Sequence, residues 1–371
     1  MRRINTVCAL LVMLSNSVFA KDMPAKSRVI IVKSAAVWNV NGSVNTAVLQ
    51  KMLDAGIREF FQVDNPAAGW KKFFVPGDKV AIKVNCLAAA YANANSRYKA
   101  STSPELAGIV ANGAIAAGVT PEDIVIYDRN SASGDTLRNE MIVAGYKLNE
   151  SSGSVKVTQA GEFGPEETLS NGLKINFIKP LLEANKAVNM PILKGHHIMG
   201  FTFALKNHLG SYKDADLRIK SGKVPAGAAS SLHNNAGVPG IAALNSHAVL
   251  KNKPSLIIGD LLRAQYRTAF YDPEGSWPYG GIIIANDPVA ADAVALKILR
   301  EKREQENINY FISAPLDVWY MASAAEKEQI KVYPEKMRYG GIAWAYLHDC
   351  AIAGLGTDNF DDINLKIIEL P

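Results

Sequence analysis

The feature that most constrains the fold is an alternation over residues 79–145. Lys79 to Asn85 (KVAIKVN) is a short, β-branched run that follows the turn Pro76-Gly77-Asp78. Ser103-Pro104-Glu105 then reads as a helix start, with Ser103 as N-cap and Pro104 at the first helical position, and the helix ends at Gly118. Asp123 to Asp128 (DIVIYD) is a second buried strand, and Gly134 to Ala144 predicts a second helix closed by Gly145. Strands separated by whole helices are joined by crossovers, so they lie parallel, with helices on both faces of the sheet.

The same grammar runs through the rest of the chain. Arg28 to Lys33 (RVIIVK) is a strand, and Asn45 opens a helix whose apolar positions are Val48, Leu49, Met52, Ile57 and Phe60. Leu173 to Ile178, Lys186 to Met190, Ser255 to Asp260 (SLIIGD) and Gly281 to Ala285 are further strands. Asp287 and Pro288 cap a helix that runs through Val294 and Ile298, and Ile342 to Ala353 is a helix carrying His348. Residues 87–102 read as a loop over the sheet, and 151–172 as a hairpin or excursion. The expected fold class is therefore α/β: a largely parallel sheet with helices on both faces and a polar site at the strand carboxyl ends.

Open sheets of this kind present ligand-binding groups at those ends. Here the ends carry Lys83 and Asn85, then Asp128, Arg129 and Asn130, then His196, then Asp260. The densest polar stretch is 196–210, where His196, His197, Lys206, Asn207 and His208 interrupt an apolar segment. Imidazole exchanges protons near neutral pH, and a lysine amine can be a cation, a base or a covalent anchor once its surroundings shift its pKa. Lys83, Asn85, Asp128, Asn130, His196, Lys206 and Asp260 are expected to converge on one cleft, with Lys206 beside Lys83. Asp292 faces roughly the same side of its helix as the apolar positions, which sets it apart from an ordinary surface acid.

Residues 1–20 do not belong to this pattern. Arg2 and Arg3 form a basic start, Val7 to Val18 is an apolar run too short to span a bilayer, and Val18-Phe19-Ala20 offers small residues for cleavage. They predict a cleaved secretory signal, a periplasmic or secreted protein and no integral membrane contact afterwards. Residues 21–371 are expected to form a single α/β domain, with two lobes meeting near residue 190 as the variant of that organisation. Hydrophobic residues make up 48% and charged residues 20%, an ordinary globular balance. Lysines are scattered among acids rather than gathered in a basic stripe, which argues against nucleic acid as a partner. Cys86 and Cys350 remain after the signal; they are too few for a four-cysteine iron–sulfur cluster, and geometry decides whether they pair.

Lys83-Val84-Asn85 after the Pro-Gly-Asp turn, Lys206-Asn207 before a glycine, His233, Gly259-Asp260 and Asp287-Pro-Val-Ala-Ala-Asp292 together resemble the family catalogued as domain of unknown function 362. That resemblance covers about residues 75–300 and implies a fold and site positions without a reaction. His196, Gly200, Phe201-Thr202 and Lys206 are more distantly similar to a segment of the nickel-dependent lactate racemases. That likeness implies a proton-exchanging role for His196, a covalent cofactor anchor at Lys206 and a metal-ligating role for His233. Where the racemases have Gly-Thr-His, this chain has Asp128-Arg129-Asn130.

The functional expectation is an exported enzyme acting on a small anionic or carboxylate-bearing substrate. His196, Lys206, Lys83 and Asp128 are its candidate catalytic residues, and Asn85, Arg129, Asn130, Asn207 and Asp260 its candidate substrate-binding residues. His233 and His208 are candidate ligands for a divalent nickel, zinc or iron ion. The contrary expectation is a periplasmic binding protein for a small anion or a metal complex, which needs the same charges without turnover.

Overall fold

The computed structural model describes residues 26–87, 100–129, 155–159, 162–196, 199–215, 232, 237–267, 269, 272–307 and 341–371. In chain order these form β1 (Ser27–Lys33), α1 (Thr46–Phe61), α2 (Pro66–Phe73), β2 (Val80–Lys83), α3 (Pro104–Ala116), β3 (Ile124–Asp128) and β4 (Lys156–Gln159). Then come β5 (Phe163–Thr168), β6 (Lys174–Ile178), α4 (Lys179–Glu183), β7 (Lys186–Asn189), β8 (Ile192–His196), β9 (Gly200–Thr202), α5 (Ala204–Asn207) and β10 (Tyr212–Asp214). The last are α6 (Gly240–Asn245), α7 (Ala248–Lys251), β11 (Ser255–Gln265), β12 (Ser276–Trp277), β13 (Gly281–Ala285), α8 (Pro288–Gln305), α9 (Gly341–Ile352) and β14 (Ile363–Glu369).

The fold is α/β. One large sheet runs β14-β1-β13-β11-β7-β2-β3-β4, with β8 and β12 paired to β11 and β9 paired to β8. Pairing is parallel from β11 through β7, β2 and β3 to β4, and again between β1 and β14. Strand β13 is the exception along this path, antiparallel to both β1 and β11. Since β7 precedes residue 190 and β11 follows it, the sheet continues across that point. A second antiparallel sheet, β10-β6-β5, lies apart.

Helices cover both faces, and the alternation of side chains along each strand sorts two cores. On one face Ile82, Ile126, Val188, Ile258 and Leu262 meet Leu49, Met52, Leu53 and Phe60 of α1, Trp70 and Phe73 of α2, and Leu106 and Val110 of α3. On the other, Ala81, Tyr127, Ile257, Leu261 and Ile283 meet Leu181 of α4, Ile241 of α6, Val289, Val294 and Leu299 of α8 and Tyr346 of α9. Each fully buried aliphatic or aromatic side chain of this kind contributes about 1.5–3 kcal/mol relative to exposure.

Helix starts follow from capping residues. Asn45 accepts the N–H of Val48 at 3.3 Å, Ser103 that of Leu106 at 3.4 Å, and Asp287 those of Val289 and Ala290 at 2.8 and 2.9 Å. Each satisfies amides that the first helical turn leaves without a carbonyl partner. Cys86 belongs to the first core and Cys350 to the second, on opposite sides of the sheet, so the two are not paired and both are buried. No helix among the described residues is long and apolar enough to cross a membrane. The signal at 1–20 and the helix over 134–144 lie outside the described residues.

Candidate functional site

Strand β2 ends in a buried cation. Lys83 sits on the face occupied by Ala81, because side chains alternate along a strand, and its ammonium meets Asp128 Oδ1 at 3.1 Å. It also donates to the carbonyl of Val84. The second oxygen of Asp128 accepts the N–H of Cys86 at 2.6 Å, which ties the ends of β2 and β3 together. Gly210 closes over this pair: a Cβ there would stand 2.3 Å from Asp128 Oδ1 and 2.7 Å from Lys83 Nζ. The carbonyl of Gly210 also accepts the N–H of Arg129 at 3.1 Å.

A chain of amides extends from this ion pair. Lys194 of β8 donates to Asn85 Oδ1 at 2.9 Å and to the carbonyl of Ala100 at 3.0 Å. Asn85 Nδ2 donates to Asn207 Oδ1 at 3.0 Å, Asn207 Nδ2 to Asn189 Oδ1 at 2.7 Å, and Asn189 Nδ2 to the carbonyl of Ala204 at 2.9 Å. Lys83 reaches Asn207 Oδ1 at 3.5 Å as well. All the donors point one way along the chain, so each amide is oriented by its neighbours. Lys206 and Asn207 arrive on α5, a single turn whose first amides, those of Ala204 and Leu205, are accepted by the two oxygens of Asp292 on α8 at 2.6 and 3.3 Å.

The electrostatics of the three lysines differ. Burial lowers the pKa of Lys83, while Asp128 opposes that shift. Burial likewise takes Lys194 down to about 7, with Asp128 as the main opposing charge. Lys206 is held well below the usual lysine range by burial and then by the charge of Lys194. Its side chain is 4% exposed, yet among the described residues its amine has no hydrogen-bond or ion-pair partner. The cation that acts on Lys206 is Lys194, while Lys83 reaches the side chain of Asn207, the next residue along.

His208 donates to or accepts from Ser211 Oγ at 3.1 Å, and that hydroxyl also meets the phenol of Tyr127 at 3.0 Å. Burial and the nearby Lys83 push the imidazole down to about 3, so it is neutral across the physiological range. Among the described residues no group of three or more His, Cys, Asp or Glu side chains could hold a metal ion, and His208 has no such company. His196 ends β8, and its Nδ1 accepts the N–H of Met199 at 3.2 Å. A neutral ring in that arrangement carries its proton on Nε2. Arg129 is buried beside Asp128 and its charge reaches Lys83. Asn130 and His233 lie outside the described residues, as does His197.

Asp260 departs from the expected convergence. It is not the end of its strand, since β11 continues to Gln265, and it faces the side of Ile258 and Leu262. There it accepts the N–H of Ser103 at 2.6 Å and of Leu262 at 2.9 Å, at the first turn of α3. It lines a separate cavity of about 190 Å³ with Trp38, Glu105 and Arg263. Burial raises its carboxyl to about 6. The cluster therefore consists of Lys83, Asn85, Asp128, Lys206 and Asn207 from the expected set, together with Lys194 and Asn189, which were not in it. Polar residues inside short strand runs were the available signal for the last two: Asn189 ends KAVN, and Lys194 interrupts ILKGH.

A largely parallel α/β sheet that gathers a buried lysine–amide cluster at the ends of β2 and β3 defines the class of this protein. The chain belongs to the family described as domain of unknown function (DUF362), whose family model matches residues 80–297, more than half of the sequence. That match spans β2 to α8 and so contains every residue of the cluster. It does not bear on the likeness to nickel-dependent lactate racemases. No curated protein matches the chain.

Proposed function

We propose that the protein is an exported enzyme acting on a small anionic or carboxylate-bearing substrate, held in the lysine–amide cluster. The observation that carries this reading is the unpartnered amine of Lys206 beside Lys194. Asp128 is the carboxylate that acts on Lys83 and Lys194, and among the described residues no carboxylate acts on Lys206. A buried region with more cations than carboxylates gains most from an incoming anion, whose charge the low dielectric makes count. Lys83, Lys194 and Arg129 supply the positive field, and Asn85 and Asn207 supply fixed hydrogen-bonding groups. His196 is the candidate for proton transfer, and Lys206 for base or nucleophile. The basic start and short apolar run of residues 1–20 support export to the periplasm or beyond.

The test is a thermal-shift screen of the mature chain against small carboxylates, phosphate and sulfate, followed by assay of each stabilising compound for consumption. Stabilisation with turnover supports the enzyme. Stabilisation without turnover gives instead a periplasmic binding protein, and no stabilisation by any anion removes both readings.

A further inference from the structure

We propose that Lys206 is a covalent nucleophile that forms an imine with the carbonyl group of a small 2-oxo acid. This rests on the reading that the cluster takes a carboxylate, and it adds the class of substrate and the bond formed.

The three lysines are built differently. Lys83 is held by Asp128 and the Val84 carbonyl, and Lys194 by Asn85 Oδ1 and the Ala100 carbonyl. An ammonium carries three donors, and burying it without acceptors is costly, so these two places suit cations. The place of Lys206 is as buried and offers no acceptor among the described residues, so it suits a neutral amine. A charge-supplying lysine would be anchored as its neighbours are. Its backbone, by contrast, is fixed on both sides: Asp292 accepts the amides of Ala204 and Leu205, and Asn207 is locked between Asn85 and Asn189. A neutral amine on a rigid turn is arranged for attack rather than for screening.

The neighbouring cation sets the substrate class. Lys194 is tied through Asn85 to Asn207, the residue that follows Lys206, by hydrogen bonds of 2.9 and 3.0 Å, and its charge acts on Lys206. In a 2-oxo acid the carbonyl carbon adjoins the carboxylate, so the carboxylate can face Lys194 while the carbonyl faces Lys206. The nitrogen lone pair attacks the carbonyl carbon, the C–O bond breaks, and the oxygen leaves as water with the two protons of the amine. The C=N bond that remains is reversible by hydrolysis, and no oxidant, reductant or further reactant is needed.

The experiment treats the mature chain with pyruvate and sodium cyanoborohydride, then measures intact mass and maps the modified peptide. The expected result is one adduct with the mass of the oxo acid less one oxygen, on the peptide bearing Lys206. It should be absent from Lys206→Arg and suppressed by propionate, which has the carboxylate without the carbonyl. No adduct on wild type overturns the proposal whatever the fold of any variant, and adducts spread over other lysines and unchanged in Lys206→Arg overturn it as well. Propionate is also run alone in a melting experiment. If it stabilises the protein while pyruvate leaves no adduct, the imine falls and the carboxylate site stands; if neither stabilisation nor adduct occurs, both fall.

Discussion

The carboxylate of Asp292 accepts the backbone N–H of Ala204 at 2.6 Å across 88 residues of sequence, and with Leu205 it caps the turn that carries Lys206. Helix α8, packed against α5, therefore sets the position of the site. A short turn cannot hold itself, because its first amides have no carbonyl partners of their own. Asp292→Ala leaves both amides buried and unsatisfied, and should cost about 1–3 kcal/mol for each. Asp292→Asn keeps one acceptor and should unfold closer to wild type in urea. Equal midpoints for Asp292→Ala and wild type would show that the cap is not needed.

Gly210 is a second point of control. Its hydrogen faces the Lys83–Asp128 pair, and both partners are pinned, so a methyl group there cannot be accommodated by a simple swing of either side chain. Gly210→Ala should lower stability by about 1–3 kcal/mol through overpacking. It should also weaken any anion-induced rise in Tm. Thermal melts with and without the best stabilising anion check both parts.

Lys194 predicts a pH dependence with a defined sign. Its pKa is about 7 when folded and near 10.5 when unfolded, so between those values the unfolded chain binds more protons than the folded one. Its contribution to stability therefore rises with pH across that window, by at most roughly 1.4 kcal/mol per pH unit, and is flat below it. Lys194→Met should remove this part of the slope in urea titrations at several pH values. A wild-type slope unchanged by the substitution would contradict the assignment.

Asn207 joins the amide chain to both lysines that have partners. Asn207→Asp adds a carboxylate beside Lys83 and removes the donor that Asn189 Oδ1 accepts. The variant should lose most of the anion-induced stabilisation, because the substitution supplies the countercharge internally. An undiminished response in a ligand melt would place the anion elsewhere.

How far these features can be read from sequence depends on where each residue sits. Lys83, Asn85 and Asp128 stand at the ends of apolar runs, and Lys206 and Asn207 in a dense polar segment, so their types and places were both visible. Asn189 and Lys194 were not visible as site residues, because a polar residue within a short strand ordinarily points to water. Here β7 and β8 are buried along their whole length, because elements cover both faces of the sheet: Val188 of β7 packs in the first core and Leu193 of β8 in the second. Asp260 was misread for the opposite reason: an acid after SLIIG looks like a strand end, yet β11 runs on and its alternation puts the carboxylate on the other face. Strand β14 gave little signal, since its sequence INLKIIE is largely exposed at the sheet edge and is recognised only by its pairing with β1. The antiparallel setting of β13 has no local signature, because strand direction is decided by how the connections run.

The central claim is that the Lys206 amine, buried with no carboxylate partner among the described residues, lies where a small carboxylate-bearing substrate is met. It is tested most directly by Lys206→Met, which fills nearly the same volume and removes the amine, melted with and without the stabilising carboxylate. The prediction is that the ligand-free variant is at least as stable as wild type, since a desolvated, unpartnered amine has been replaced by an apolar side chain. The carboxylate should then no longer raise its Tm. A ligand-free variant less stable than wild type that still responds fully to the carboxylate would contradict the account.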